Sequence, residues 1–443
     1  YKNRSTQDVN YRVQALKKLR DVVLKYEQDV YKALAADLGK SEFEAFLTEF
    51  NVVTGELDTY IKKTASWSKP QHVWPSIMNF PSKDRRYPEP YGCALIISPW
   101  NYPFQLAMAP LIGAVAAGNT VVLKPSEFAT ETSKLLATII AEALDPAHVH
   151  VMLGDAEVSK ELTALKWDYV FFTGSPGVGK IIYQAAAKHL TPVTLELGGK
   201  NPCVIHESAA LKVSSRRISW AKFLNTGQTC IAPDYVLVHE RIADAFINQL
   251  QESIKEQFTD KPQSSPDLGR IIRKEHYDKL VEMLDGEDII YGGDHDAETL
   301  YMAPTLLRNP SRDSKVMQGE IFGPILPIIT YSTQADLEQW ITSYDTPLGA
   351  YVFTEDSNFS SWFINRFPYG GGVINDCIVQ FVNERIPFGG KGNSGIGSYH
   401  GRKTFETFSH YKGVVHRGTW LDIPVKYAPY GNKLDFIKKL LRM

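Results

Sequence analysis

Cys230 closes the stretch Asn225-Thr226-Gly227-Gln228-Thr229-Cys230, and a sulfur in that setting can act as a nucleophile on a carbonyl carbon. Upstream, apolar residues recur at helical spacing (Val213, Ile218, Ala221) as far as Phe223, and Gly227 then breaks the run as a turn does. The thiol therefore falls on or beside a turn, where small and hydroxyl neighbours leave room for a substrate carbonyl and backbone N–H groups can hold an oxyanion. The competing reading is a buried structural thiol, because free cysteine is among the most buried residue types. A second constellation is Gly174-Ser175-Pro176-Gly177-Val178-Gly179, which follows the strand-like Tyr169 to Thr173 and opens the helix-like Lys180 to His189. That context suits a dinucleotide, although the glycines are not spaced as G-x-G-x-x-G and such turns are common without any ligand. Pro176 suits a first helical position, where its missing N–H costs nothing.

The elements that must position these groups alternate along the chain. A helix is expected from Val9 to Leu38, stopped by Gly39, and a second from Ser41 to Thr64. A proline-rich arm (Pro70, Pro75, Pro81, Pro88, Pro90) cannot be helical and should wander or form edge strands. Short apolar runs at 92–98, 120–123, 149–153 and 169–173 read as buried strands, joined by helices at 106–117, 132–144 and 157–164. Strands buried on both faces and joined by helices mean a parallel, doubly wound α/β sheet. A second block follows, with strands at 202–205, 235–238, 325–329 and 350–353 and helices at 213–223, 242–258, 274–284 and 334–342. The chain ends in a strand at 410–417 and a polar tail.

At 443 residues the chain is long enough for about two to three domains. Its 44% hydrophobic and 22% charged residues are those of a globular protein, and a formal charge of -2 offers no basic surplus for nucleic acid. The four cysteines (Cys93, Cys203, Cys230, Cys377) are far apart, with no C-x-x-C pair and no metal-ligand spacing, which points to a reducing compartment and no structural zinc. No apolar run reaches the roughly 18 to 20 residues that cross a bilayer. The opening Tyr1-Lys2-Asn3 suggests that native residues precede it.

Several stretches then occur in one order: Pro99-Trp100-Asn101-Tyr102-Pro103, Lys124-Pro125-Ser126-Glu127, the glycine turn at 174–179, Leu195-Glu196-Leu197-Gly198-Gly199-Lys200, Gly227-Gln228-Thr229-Cys230, Glu320-Ile321-Phe322-Gly323-Pro324 and Pro387-Phe388-Gly389-Gly390. In that combination the chain resembles the aldehyde dehydrogenases over essentially its whole length. It is most similar to the class 3 branch, the dimeric and fatty-aldehyde type, through its short N-terminus, Thr191 to Glu196, and Gly397-Ser398-Tyr399-His400-Gly401 running into Phe405 to His410.

The resemblance implies roles residue by residue. Cys230 matches the nucleophile that forms a thiohemiacetal, Asn101 the side-chain donor to the oxyanion, and Glu196 the base that activates water. Lys124 and Glu127 match residues at the adenosine ribose, Gly174, Ser175 and Gly179 the turn beside the pyrophosphate, and Glu320 and Phe322 the holders of the nicotinamide ribose and ring. Without the family, Asn101 reads as a turn residue, Glu196 as a surface carboxylate, Lys124 to Glu127 as a helix start and Phe322 as core. The family implies NAD as cofactor, with NADP also accepted, and a homodimer. It further implies a Rossmann-like cofactor domain at 1–72 and 91–196, a catalytic domain at 197–405, and a bridging element at 73–90 with 406–443. The substrate would be a medium- or long-chain aliphatic or an aromatic aldehyde, in a cytoplasmic enzyme, since the tail after Gly418 lacks the apolar anchor of the microsomal fatty-aldehyde members. Gln380 stands where class 3 members often carry histidine, toward the substrate entrance. Two rivals are a CoA-acylating relative, against which Glu196 counts, and a catalytically silent one, against which Cys230, Asn101 and Glu196 count together.

Overall fold

Each of the two large sheets is covered on both faces, which is why its strands are apolar at nearly every position. The computed structural model describes residues 4–76, 79–422 and 424–441. The first sheet has the order β17 (Gly395–Ile396), β7 (Val193–Glu196), β6 (Tyr169–Thr173), β3 (Cys93–Ile97), β4 (Thr120–Lys124), β5 (Val149–Val151). Its strands are parallel except β17, which runs antiparallel to β7. Successive residues point to opposite faces: Ala94, Ile96, Val121, Leu123 and Phe171 enter one core, and Leu95, Ile97, Val170 and Phe172 the other. The helix Gln105–Ala117 is buried at every residue, so its sequence carries no polar stripe.

The second sheet has the order β10 (Ile289–Tyr291), β13 (Thr305–Arg308), β14 (Ile325–Tyr331), β9 (Tyr235–His239), β8 (Pro202–Ile205), β15 (Gly349–Phe353), β16 (Gly371–Ile374). All its pairs are parallel but that of β10 with β13. The same alternation divides its strands between two cores, with Cys203, Val236 and Leu326 on one side and Val204, Leu237 and Ile325 on the other. A two-stranded ribbon, β11 (His295–Asp296) with β12 (Tyr301–Met302), completes this region.

By its internal contacts the chain forms two compact units, one from residues up to Trp67 with Pro90–His410, the other from Ser68–Glu89 and from Tyr411 onward. The smaller unit contains a three-stranded sheet in the order β1 (Gln71–Val73), β2 (Ser82–Pro90), β18 (Ser409–Arg417). The proline-rich arm thus supplies strands, as its composition requires; residues 77 and 78 of that arm lie outside the described residues. The expected polar tail contains a helix, Lys433–Leu441.

Two expected long helices are interrupted. The first divides into Val9–Lys25 and Glu27–Leu38 at Tyr26, whose ψ of 15° leaves the helical range while its hydroxyl donates to Glu142. The second consists of Glu42–Ala45, a π turn at Phe46–Phe50 and Asn51–Trp67; the π turn buries Thr48 and Glu49. The helix expected from Lys180 begins at Pro176 and ends at Ala187, with Ser175 as its N-cap.

In the first sheet the chain runs outward through β3, β4 and β5, then returns to the other side of β3 with β6 and β7. The order therefore reverses between β3 and β6, and ligands bind beyond the carboxyl ends of strands at such a point. The residues following β3, β4 and β6, and the last residue of β7, are the segments with Asn101, Glu127 and Ser175, and Glu196 itself.

Candidate active site

Cys230 is placed by a strained turn. The helix Leu211–Phe223 ends, and Asn225 (φ 52°), Thr226 (φ 55°) and Gly227 (φ 74°) follow in the left-handed region. For the two non-glycine residues this costs about 1–2 kcal/mol each, and buried hydrogen bonds offset it. Asn225 donates its backbone N–H to Glu44 Oε1 at 2.9 Å and its amide to the carbonyls of Asn101 (2.7 Å) and Gln228 (3.1 Å). Gln228 ties the turn to the chain beyond, donating to the Arg270 carbonyl (3.0 Å) and accepting from the Ile272 N–H (3.0 Å). Gly227 is required here, because a Cβ would collide with the Gly323 carbonyl. On the far side of the sulfur, Asn201 donates to the carbonyls of Cys230 (2.8 Å) and Ala232 (3.0 Å) and accepts from Gly349 N–H (2.8 Å).

Asn101 lies in the bend between β3 and the helix Gln105–Ala117, so its reading as a turn residue is also correct. Its side chain is buried, and its amide donates to the Gln228 carbonyl at 3.0 Å, using one of its two N–H bonds. The next residue, Tyr102, shares a 2.7 Å hydrogen bond with Thr229 Oγ1. Asn101 and Cys230, distant in sequence, are thus held through one small network.

Glu196 and Cys230 line the same cleft, which is walled by Leu106, Leu224, Ile231, Leu348, Phe381 and Phe388 among others. Both Glu196 oxygens are buried without a hydrogen-bond partner. Burial alone pushes this carboxyl well above the usual range, so it holds its proton or takes one readily. The Cys230 thiol is pushed up to about 12 by burial first and by the neighbouring Glu320 and Glu196 carboxyls next. Gln380 does not line the cleft: its amide donates to Tyr351 Oη (3.2 Å), which in turn donates to the carbonyl of Ile231, beside Cys230.

The remaining expected residues lie at or just after the carboxyl ends of β4 and β6, or, for Glu320 and Phe322, just before β14. Gly174 N–H donates to the Glu196 carbonyl at 3.0 Å, so the glycine turn is fastened to the candidate base. Ser175 Oγ caps the helix by accepting from Val178, and a Cβ at Gly177 would meet only open space, so the helix N-terminus is accessible to an anion. Gly179 packs closely on Leu197. Lys124, buried, pairs with the Glu127 carboxylate at 2.7 Å. Phe322 (φ 55°) is held between Trp100 (ring centroids 5.3 Å, edge to face) and His276, whose Nε2 donates to the Phe322 carbonyl at 2.8 Å. Glu320 carries a buried Oε1 with no partner, and a Cβ at Gly198 would collide with its carboxylate. Orphaned oxygens on Glu320 and Thr173, an open helix N-terminus and glycines where side chains cannot fit together match a dinucleotide.

Sequence reasoning missed Asn201, the Lys200–Asp234 ion pair (2.6 Å) that braces the loop through Ile321 N–H, and the Trp100–His276 brace on Phe322. Lys200 and Asn201 directly follow Gly198-Gly199, a polar pair before a buried strand that signals a buried structural task. Among the described residues no cluster of three or more His, Cys, Asp or Glu could hold a metal ion, and no helix is long and apolar enough to cross a membrane.

Residues 1–414 match the aldehyde dehydrogenase family. The chain is 43% identical to 4,4'-diaponeurosporen-aldehyde dehydrogenase of Staphylococcus aureus (strain NCTC 8325 / PS 47), covering 100% of this chain and 97% of that protein. It is 41% identical to the dimeric, NADP-preferring aldehyde dehydrogenase of Canis lupus familiaris over 96% of this chain and 94% of that one. The solved substrate-bound state of Staphylococcus aureus AldH superposes with a TM-score of 0.97 at 43% identity, covering 99% of this chain and 96% of that one. With an α/β fold, a cysteine and a glutamate sharing one cleft and a match along nearly its whole length, the chain belongs to the aldehyde dehydrogenase family, whose members oxidise aldehydes.

Proposed function

We propose that the chain converts medium- or long-chain aliphatic or aromatic aldehydes to carboxylic acids through an acyl thioester on Cys230. The observation that carries this is Glu196, a buried carboxyl with both oxygens unbonded, in the same apolar cleft as the thiol. The cleft's aliphatic and phenyl walls suit an apolar substrate tail. Cys230 Sγ adds to the aldehyde carbon while its proton leaves to solvent, either directly or through Glu196, which passes it on and returns to the carboxylate. The oxygen that gains charge is met by the free N–H of the Asn101 amide and the backbone N–H of Cys230. The oxidised nicotinamide, held by Glu320 and Phe322, supplies a hydride acceptor and a positive charge when bound. After loss of hydride, Glu196 takes a proton from water as that water adds to the thioester, and Cys230 leaves as the thiolate.

Lys124 and Glu127 would meet the adenosine ribose, Gly174, Ser175 and Gly179 the pyrophosphate. Glu127 favours NAD by accepting from both ribose hydroxyls and repelling a 2′-phosphate. Lys124 softens that repulsion from 2.7 Å, and Arg273, stacked 4.0 Å from the ring centre of the adjacent Phe128, adds a second cation, so NADP is accepted as well. The domain division expected from the sequence, with the first sheet binding cofactor and the second carrying Cys230, is proposed on the same grounds. The partner is a second copy of the chain: the small unit exposes Trp74 and Trp420 (90% and 74%), apolar surface that a neighbour would cover, and a 41% identical relative is named as dimeric. Four free cysteines fit the reducing cytoplasm.

A panel of aldehydes of graded length and aromaticity, offered with NAD and with NADP to the wild type and to Cys230→Ala, tests this. The variant is expected to bind NAD with near wild-type affinity and to form no NADH with any aldehyde. Undiminished oxidation by Cys230→Ala would overturn the proposal.

A further inference from the structure

Lys40 is 2% exposed although it ends in an amine. Lysine is almost never so buried unless paired. Its Nζ lies 2.5 Å from Glu49 Oε1, donates to the Asn101 carbonyl at 3.2 Å and sits 4.0 Å from the centre of the Tyr102 ring. Glu49 is fixed from its other side, where Oε2 accepts the N–H groups of Phe104 (2.8 Å) and Gln105 (3.1 Å) at the start of the helix Gln105–Ala117. The π turn at Phe46–Phe50 brings Glu49 inward to make these contacts.

Besides Glu49, Lys40 bonds to the Asn101 carbonyl and lies over the Tyr102 ring, and its charge also acts on the buried carboxyl of Glu44, which accepts the Asn225 N–H. Asn101 and Tyr102 reach the loop of Cys230 by separate bonds, Asn101 to Gln228 and Asn225, Tyr102 to Thr229. A buried ion pair costs desolvation that an apolar pair of similar volume avoids, so stability alone does not account for one here. We propose that Lys40 is a positioning residue for aldehyde oxidation: by holding the Asn101 carbonyl and the Tyr102 ring, it aims the Asn101 amide at the oxyanion. This rests on Asn101 being the oxyanion donor. Catalytic geometry is sensitive at this scale, since a displacement of about 1 Å can cost about 100-fold in rate.

The test is a mutant cycle read in the first, single-turnover phase of NADH formation. The pair variant Lys40→Met with Glu49→Gln removes both charges, and the new amide still accepts from Phe104 and Gln105. It is combined with Asn101→Ala, and heat stability, NAD affinity and aldehyde KM are measured alongside. The pair variant is expected to fold, to bind NAD and aldehyde as the wild type does, and to slow the first phase by about 10- to 100-fold, part of the 10²–10³ that loss of an oxyanion donor costs. In the Asn101→Ala background the same change is expected to have almost no effect, because Lys40 acts through Asn101. A folded pair variant with a wild-type first phase, or one that slows both backgrounds equally, overturns the role of Lys40. Asn101→Ala with a wild-type first phase overturns instead the oxyanion role on which the proposal rests. If the pair variant does not fold, Lys40→Leu with Glu49→Gln, which likewise removes the donor to the Asn101 carbonyl, enters the cycle with the same deciding outcomes.

Discussion

Asn201→Ala should destabilise the protein severely and misplace Cys230. Asn201 is 1% exposed and makes three hydrogen bonds of 2.8 to 3.0 Å, to the carbonyls of Cys230 and Ala232 and from the N–H of Gly349. Alanine supplies none of these, and each buried group left unpaired costs about 1–3 kcal/mol. Two carbonyls and one N–H therefore give a loss of about 3–9 kcal/mol, a large part of the about 5–15 kcal/mol that holds a typical fold together. The chain forms two compact units, so unfolding need not be two-state, and the assay is the heat-unfolding midpoint at fixed scan rate with a matched control. Asn365→Ala serves as that control, because Asn365 makes only an exposed 2.7 Å bond to Ser361 within its own helix and should change stability by under about 0.5 kcal/mol. At temperatures where Asn201→Ala is still folded, kcat/KM should fall further than NAD affinity, since the freed carbonyl belongs to Cys230 itself. A midpoint for Asn201→Ala no lower than that of Asn365→Ala would refute the reasoning.

Glu196 keeps its proton above the usual carboxyl range in the folded chain, so its contribution to stability is full below the ordinary glutamate pKa and is lost as pH rises through the raised value. Glu196→Gln should therefore be more stable than the wild type at neutral pH, by a margin that widens with pH; heat midpoints of both proteins across the neutral range check this, and a constant margin contradicts it. In the cofactor-free enzyme the Cys230 thiol, pushed up to about 12, should react with iodoacetamide about tenfold faster per pH unit from neutral into the alkaline range, because only the thiolate reacts. A plateau near neutrality, followed by mass spectrometry of the labelled peptide, would show that the thiol ionises far more easily. Glu127→Gln should shift the ratio of kcat/KM values toward NADP, and an unchanged ratio would remove Glu127 from the ribose site.

The strands were legible because burial on both faces leaves an unbroken apolar run, and the turn before the helix Pro176–Ala187 because proline and glycine punctuate it. Cys230 was legible as a thiol beside a turn, and its role followed from the resemblance of several ordered motifs. What could not be read was whatever depends on contacts across the chain. Glu44 receives the N–H of Asn225 from 181 positions away, and Asn101 reaches Gln228 across 127. No periodicity marks such pairs, and Lys40, between the two expected helices, and Glu49, within the second, look like two unrelated charges until the π turn brings Glu49 inside. The break at Tyr26 was hidden for the opposite reason: apolar spacing continues through it, and only the backbone departs.

The division of labour between Cys230 and Glu196 is the central claim, and one measurement addresses it directly. Glu196→Gln keeps the size and shape of the side chain but cannot accept a proton from water. Mixed in excess with aldehyde and NAD in a stopped-flow instrument, it should form up to about one NADH per site in a rapid phase and then turn over about 100- to 10,000-fold more slowly than the wild type. Intact-protein mass after acid quenching should show the acyl group accumulated on the chain, and peptide mapping should place it on Cys230. Wild-type turnover with no acyl adduct would show that water is activated by some other group and would contradict the account.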